Sequence, residues 1–130
     1  MNVEPHECTW PVCRAAFATT KDDPSARVPL ASTANRGELV SLPELYVCGR
    51  IKDGSAGVAL LGGYTLNHAI GLAELVTENE TRREWGRSGV AKIALEVKGG
   101  ALELVATGSD ETILWAVYWR AVDFPANVAG

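Results

Sequence analysis

Histidine is nearly missing from this chain, with only His6 and His68 in 130 residues. A catalytic constellation needs a base or nucleophile held by an orienting partner, and histidine is the side chain most often used for proton transfer. There is no Gly-x-Ser-x-Gly elbow, no glycine-rich loop leading into Lys-Ser/Thr, and no Gly-x-Gly-x-x-Gly. The signatures of serine hydrolases, P-loop enzymes and dinucleotide-binding folds are therefore missing. The expectation is a protein that is not an enzyme and uses no cofactor.

Other shortages narrow the choice further. No window approaches the ~20 continuous apolar residues of a membrane helix. The opening Met1-Asn2-Val3-Glu4-Pro5-His6 has neither the basic nor the apolar part of a signal peptide. A chain made and kept in a cytoplasm, without membrane insertion, is the expectation. Formal charge is −4 and the basic residues are scattered singly, so no stripe exists to neutralise several phosphates, and nucleic acid is not an expected partner. Cysteine is scarce and odd in number: Cys8, Cys13 and Cys48. An odd count does not imply a closed disulfide framework. Cys8 and Cys13 would form a bridge only if the protein met oxidising surroundings, and reduced thiols are the simpler reading. His6, Cys8 and Cys13 lack the paired Cys-x-x-Cys spacing of a zinc site, so no metal is expected.

What the chain does have is period two. From Val90 to Thr107, Ala91, Ile93, Leu95 and Val97 alternate with more polar neighbours, Gly99-Gly100 intervenes, and Leu102, Leu104 and Ala106 resume the alternation. Two glycines accept the positive φ values of a primed hairpin turn. A two-residue loop pairs Lys98 with Ala101, Val97 with Leu102, Glu96 with Glu103 and Leu95 with Leu104, which puts the apolar partners on one face. Thr112 to Val122 is apolar on both faces, with Ile113, Trp115, Val117 and Trp119 on one and Leu114, Ala116 and Tyr118 on the other. Such a strand belongs inside a sandwich or at a subunit contact.

Upstream, Glu44 to Lys52 reads as a strand with Leu45, Val47 and Ile51 on one side. Val58 to His68 and Leu72 to Glu78 read as a second hairpin, with a bulge or kink expected at Gly62-Gly63. Ala26 to Ala31 contains Pro29 and belongs at a sheet edge or strand start. The count is seven or eight strands and no helix, an all-β antiparallel sandwich, jelly-roll-like, over residues 25–130. Pro5, Pro11 and Pro24 break any periodicity over residues 1–24. That stretch is expected to be an extended N-terminal docking arm, with Trp10, Val12 and Phe17 as its partner-binding side chains.

Two constellations invite a chemical reading. Glu96 and Glu103, directly opposed, have the look of a glycosidase carboxylate pair, but the register sets them on a polar face near Lys92 and Lys98, where a solvated, lysine-balanced pair is expected. Arg82, Arg83 and Arg87 surround Trp85 in what reads as the loop before the long hairpin. Arginine beside tryptophan is favoured at interface hot spots and in sugar-binding grooves, so Arg82, Trp85 and Arg87 are candidate contacts to a glycan or protein.

These residues also carry a resemblance. The ordered pieces are Tyr46-Val47-Cys48-Gly49-Arg50-Ile51-Lys52-Asp53-Gly54, Gly63-Tyr64-Thr65-Leu66, Trp85, the Ala91–Val97 strand with Gly99-Gly100, Ala106-Thr107-Gly108, and Ile113-Leu114-Trp115-Ala116-Val117. Together they resemble a small β-sandwich structural module of tailed bacteriophages, found among capsid decoration, tail-fibre and tail-spike accessory proteins. The resemblance spans about Ala26 to Val122 and implies a virion surface module, often a homotrimer, with no catalytic residues to carry over. It implies a virion protein assembled in the host cytoplasm, with the major capsid protein or a tail or baseplate protein as partner. Leu114, Tyr118 and Trp119 are then expected at the subunit interface. The leading expectation is a capsid decoration, or cement, protein docked by its arm. The alternative is a tail-fibre or baseplate tip that binds a host surface glycan.

Overall fold

The computed structural model describes residues 14–21, 25–69 and 72–124. They form eight strands: β1 (Arg14–Thr20), β2 (Ser25–Ser32), β3 (Leu39–Ile51), β4 (Gly57–Ala69), β5 (Leu72–Trp85), β6 (Lys92–Lys98), β7 (Ala101–Thr107) and β8 (Ile113–Phe124). The strands make two antiparallel sheets, one of five in the order β1-β8-β3-β4-β5 and one of three in the order β2-β7-β6. The expected all-β sandwich is what the chain forms. Pairing of the first strand with the last, and of the second with the seventh, gives the nested arrangement of a jelly roll. That nesting stops at β3, after which β3-β4-β5 is a plain meander.

The β6–β7 hairpin has the register read from its alternation, with Lys98 opposite Ala101, Glu96 opposite Glu103 and Ile93 opposite Ala106. Its turn glycines sit at φ 59° and 83°, the left-handed values that a primed turn demands and that side chains resist. Leu102, Leu104 and Ala106 are buried and meet the inner face of the large sheet, including Val47, Leu60, Trp115 and Val117. Pro29 lies in β2 at the edge of the small sheet, next to a bulge, where its missing N–H costs no ladder bond.

Bulges decide which way side chains point. In β3 an extra residue is accommodated between Leu42 and Leu45 against both neighbours, so Val40 and Leu42 face inward before it and Leu45 and Val47 after it. The register shift at Gly63/Tyr64 falls where the glycine pair suggested, but the extra residue, Glu78, is on β5. This slip reverses the parity of β5. Beyond it Glu80, Arg82 and Glu84 turn inward, and Asn79, Thr81, Arg83 and Trp85 turn outward.

The stretch expected to be an arm contains a strand of the sandwich. Residues 14–20 are β1, paired along their whole length with β8 from Arg14↔Trp119 to Thr20↔Ile113. Thr20 is buried and accepts a hydrogen bond of 2.9 Å from Nε1 of Trp115. Alternation of small residues with Phe17 is too weak to read as a strand; in the fold Ala16 and Ala18 pack against the core and Phe17 faces outward.

Candidate interaction surface

The inner and outer faces of the five-stranded sheet have different jobs. On β8, Ile113, Trp115, Val117 and Trp119 point into the core, and Trp119 is 6% exposed with Nε1 donating to the Leu30 carbonyl at 3.0 Å. Trp119 was expected at a subunit interface; it is instead a core residue that ties β8 to β2, because it shares the odd parity of Trp115 and Val117. Leu114 and Tyr118 do lie on the outer face, as expected. Tyr118 meets the ring of Phe17 edge-on, with centroids 5.8 Å apart.

Pairing registers assemble the outer face row by row. Ala116, Cys48, Ala59 and Arg83 are successive cross-strand partners on β8, β3, β4 and β5, and Phe17 on β1 stands opposite Ala116. The adjacent row on the same face is Tyr118, Tyr46, Leu61 and Thr81. Small side chains thus form the floor of a groove that crosses the strands, and large ones form a bank beside it. Its volume is about 320 Å³, at the lower end of what accepts a small ligand or an anchoring side chain. Phe17 is 70% exposed, Tyr46 48%, and Leu61 and Tyr118 each 41%. Four large apolar side chains on one sheet face make a contiguous patch of the kind that marks an interaction site. Arg83, at the β5 end, has no hydrogen-bond or ion-pair partner among the described residues.

The expected arginine–tryptophan site is dispersed. Arg82 faces inward, where its Nε donates to Glu80 at 2.7 Å and its Nη1 donates to the Ile93 carbonyl at 2.8 Å, lacing β5 to β6 across the sandwich edge. Glu80 also accepts the Tyr64 hydroxyl at 2.7 Å. Arg82 first, and Tyr64 second, hold the Glu80 carboxyl below its ordinary range, while burial and the Glu80 charge push the Tyr64 hydroxyl well above the usual tyrosine range. Trp85 ends β5 rather than lying in a loop. Its ring lies across Gly57, where any Cβ would collide with it, and its Nε1 donates to the Gly54 carbonyl at 3.1 Å. Arg87 is beyond the strand and pairs with Glu111 at 2.5 Å.

No family model and no curated protein matches the chain. Among solved structures it is similar to the tailspike protein of Acinetobacter baumannii phage AM24, with 10% sequence identity and a TM-score of 0.40. That likeness covers 92% of this chain and 27% of the tailspike chain.

The remaining candidate groups have ordinary surroundings. Glu96 and Glu103 are opposed as the register required, but the cation between them is Arg27 of β2, with Nη1 2.5 Å from Glu96 and 3.4 Å from Glu103. Arg27 replaces the lysines expected in that role because β2 lies beside β7 and lends it a third-strand neighbour. His68 Nδ1 is 3.2 Å from the Thr33 hydroxyl. Among the described residues no three His, Cys, Asp or Glu side chains gather into a metal site. Cys48 is a free thiol on the groove floor. Trp10, Val12, Cys8, Cys13 and His6 lie outside the described residues. The groove itself was missed in the sequence because Tyr46, Leu61 and Arg83 come together only through cross-strand register. The available signal was that β3 and β4, like β8, carry apolar side chains at both parities.

Proposed function

We propose that this chain is a structural protein of a tailed-bacteriophage particle, most concretely a capsid decoration protein. In this reading its N-terminal segment takes it to the particle, and the outer face of its five-stranded sheet carries self-association, with a homotrimer as the expected assembly. The observation that supports an assembly role is the apolar groove with Phe17, Tyr46, Leu61 and Tyr118 exposed around it. An exposed apolar face of this kind carries a standing solubility penalty, which a binding role explains. The virion assignment rests on the ordered motifs between Tyr46 and Val117. Binding without catalysis is part of the proposal, as are the major capsid protein or a tail or baseplate protein as partner and the virion as location.

Sedimentation of the full-length protein over a range of concentrations tests the assembly role, with Leu61→Glu as the matched variant. The expected result is a concentration-dependent oligomer that Leu61→Glu reduces to a monomer with an unchanged circular-dichroism spectrum, its melting temperature no longer rising with protein concentration. A wild-type monomer throughout would overturn self-association. Mixing with DNA-free heads tests the location: binding supports decoration, and no binding to heads removes it.

A second reading, a tail tip that binds a host glycan, is favoured by the same groove, since Tyr46 and Tyr118 offer aromatic surface and Arg83 a cation without a partner among the described residues. Glycan-array binding that is lost in Tyr46→Ala would select it over the first.

A further inference from the structure

We propose that β5, an edge of the five-stranded sheet, pairs antiparallel with β5 of a second copy about a two-fold axis between Glu78 and Asn79, so that two sheets run on as one. The contact lies at the sheet's edge and is distinct from the face-mediated association proposed above.

A sheet edge presents a row of unpaired N–H and C=O groups, which proteins blunt by shortness, proline, lysine or a bulge. Among the described residues the other edges carry such devices. β1 and β6 have seven residues each, β6 has Lys92 and Lys98 at its ends, and β2 holds Pro29 beside a bulge. β5 has 14 residues, more than any other strand, with neither proline nor lysine among them. It is hydrogen-bonded to β4 alone among the described strands. Its inward charges are engaged within their own chain: Glu80 by Tyr64 and Arg82, Arg82 also by the Ile93 carbonyl, and Glu84 by the N–H of Gly89 at 3.2 Å.

The bulge in β5 selects both the partner and the register. Before it Leu72, Glu74 and Val76 face outward, and after it Thr81, Arg83 and Trp85 do. At the slip Glu78 accepts the Thr65 hydroxyl at 3.1 Å and Asn79 lies beside Gly63, both on the outer side. A strand whose parity reverses midway matches its own copy face for face along its whole length only if the axis passes through the reversal. That register sets Glu78 opposite Asn79 of the second copy, Val76 opposite Thr81, and Glu74 opposite Arg83 on the outer face, with Thr77 opposite Glu80 on the inner. By symmetry each pair occurs twice. Glu74 and Arg83 have no hydrogen-bond or ion-pair partner among the described residues, and here they meet as opposite charges, while no pair opposes like charges. A strip one strand wide buries less than the ~1,200–2,000 Å² of a standard interface. It therefore holds free monomers weakly and acts where a larger assembly keeps copies close.

Disulfide trapping reads such a weak contact. In full-length protein with Cys8, Cys13 and Cys48 changed to serine, a chain carrying Val76→Cys is mixed with one carrying Thr81→Cys, both positions being exposed, and mildly oxidised. The expected product is a heterodimer linked through positions 76 and 81. Val76→Cys with Asn79→Cys, a diagonal pair beyond disulfide reach, stays unlinked. Adding Glu74→Arg to both chains slows linking about tenfold, and Glu74→Arg on the first chain with Arg83→Glu on the second restores it. Equal linking of the two cysteine pairs, or linking indifferent to the charge exchange, would overturn the register and with it the contact. If no link forms while Leu61→Glu still dissolves a wild-type oligomer, the edge contact falls and the face-mediated reading stands. If the wild type is monomeric at every concentration and the 76–81 link forms, the reverse holds.

Discussion

Thr20→Val should destabilise the fold far more than its small change in shape suggests. Thr20 ends β1, is buried, and accepts the indole N–H of Trp115, itself in the core. Valine keeps the β-branched shape that suits a strand but leaves the Trp115 donor buried without a partner. Such an orphaned group costs about 1–3 kcal/mol. For a chain of this size, between the ranges for small and large domains, each kcal/mol moves the melting temperature by roughly 3–5 °C, so a loss of about 2 kcal/mol lowers it by roughly 6–10 °C. Thr20→Ser retains the acceptor and should lose only what one buried methyl contributes, about 1 kcal/mol or less. Urea titrations of the wild type, both variants, Trp115→Phe and the Trp115→Phe/Thr20→Val pair make a double-mutant cycle. The expected pattern is a valine loss at least twice the serine loss, and a deficit in the pair smaller than the sum of the singles by about 1 kcal/mol. Additive losses, or a valine variant as stable as wild type, would refute the hydrogen bond and with it the place of β1 in the sandwich.

Four other outcomes follow from the same geometry. Trp119→Ala should cost about 3–5 kcal/mol of stability, seen in urea melts, whereas Tyr118→Ser should leave the melt near wild type at protein concentrations too low for assembly and weaken association in sedimentation. The Glu80 carboxyl is held below its ordinary value of 4.5 by Arg82 and Tyr64, so its contribution is present above that value and is lost as pH falls through the folded-state value. Glu80→Gln should therefore be less stable than wild type at pH 7, with the two melting curves converging below pH 4.5. Gly100→Ala should lower the melting temperature well beyond Gly99→Ala, because a Cβ at 100 meets the Thr33 carbonyl oxygen and one at 99 meets nothing. Arg27→Ala leaves Glu96 and Glu103 opposed without their cation; a small, salt-suppressed loss is expected, and Glu103→Gln in the same chain should recover it.

The sequence disclosed those features whose cause is local. The β6–β7 hairpin was legible because its period-two alternation and two turn glycines lie within one short segment, and the register then follows without reference to anything else. Hidden features depend on residues far apart in the chain. The extra residues in β3 and β5 each reverse the alternation midway, and neither Pro43 nor Glu78 says from sequence alone on which strand the slip is absorbed. Arg82 and Arg83 look equivalent beside Trp85, yet the slip at Glu78 sends one to lace the sandwich shut and turns the other outward to line the end of the groove. Trp119 shows the converse. Its odd numbering with Trp115 and Val117 already placed it in the core, and its adjacency to Tyr118 concealed this, since neighbours along a strand point to opposite faces. Ala116, Cys48, Ala59 and Arg83 form a row only after three pairings are in register, so a one-residue slip in any of them would send half the row to the core face. The bulges therefore do more than relieve strain: by fixing which parity faces outward, they determine that the exposed side of this sheet is an apolar groove ending in an arginine.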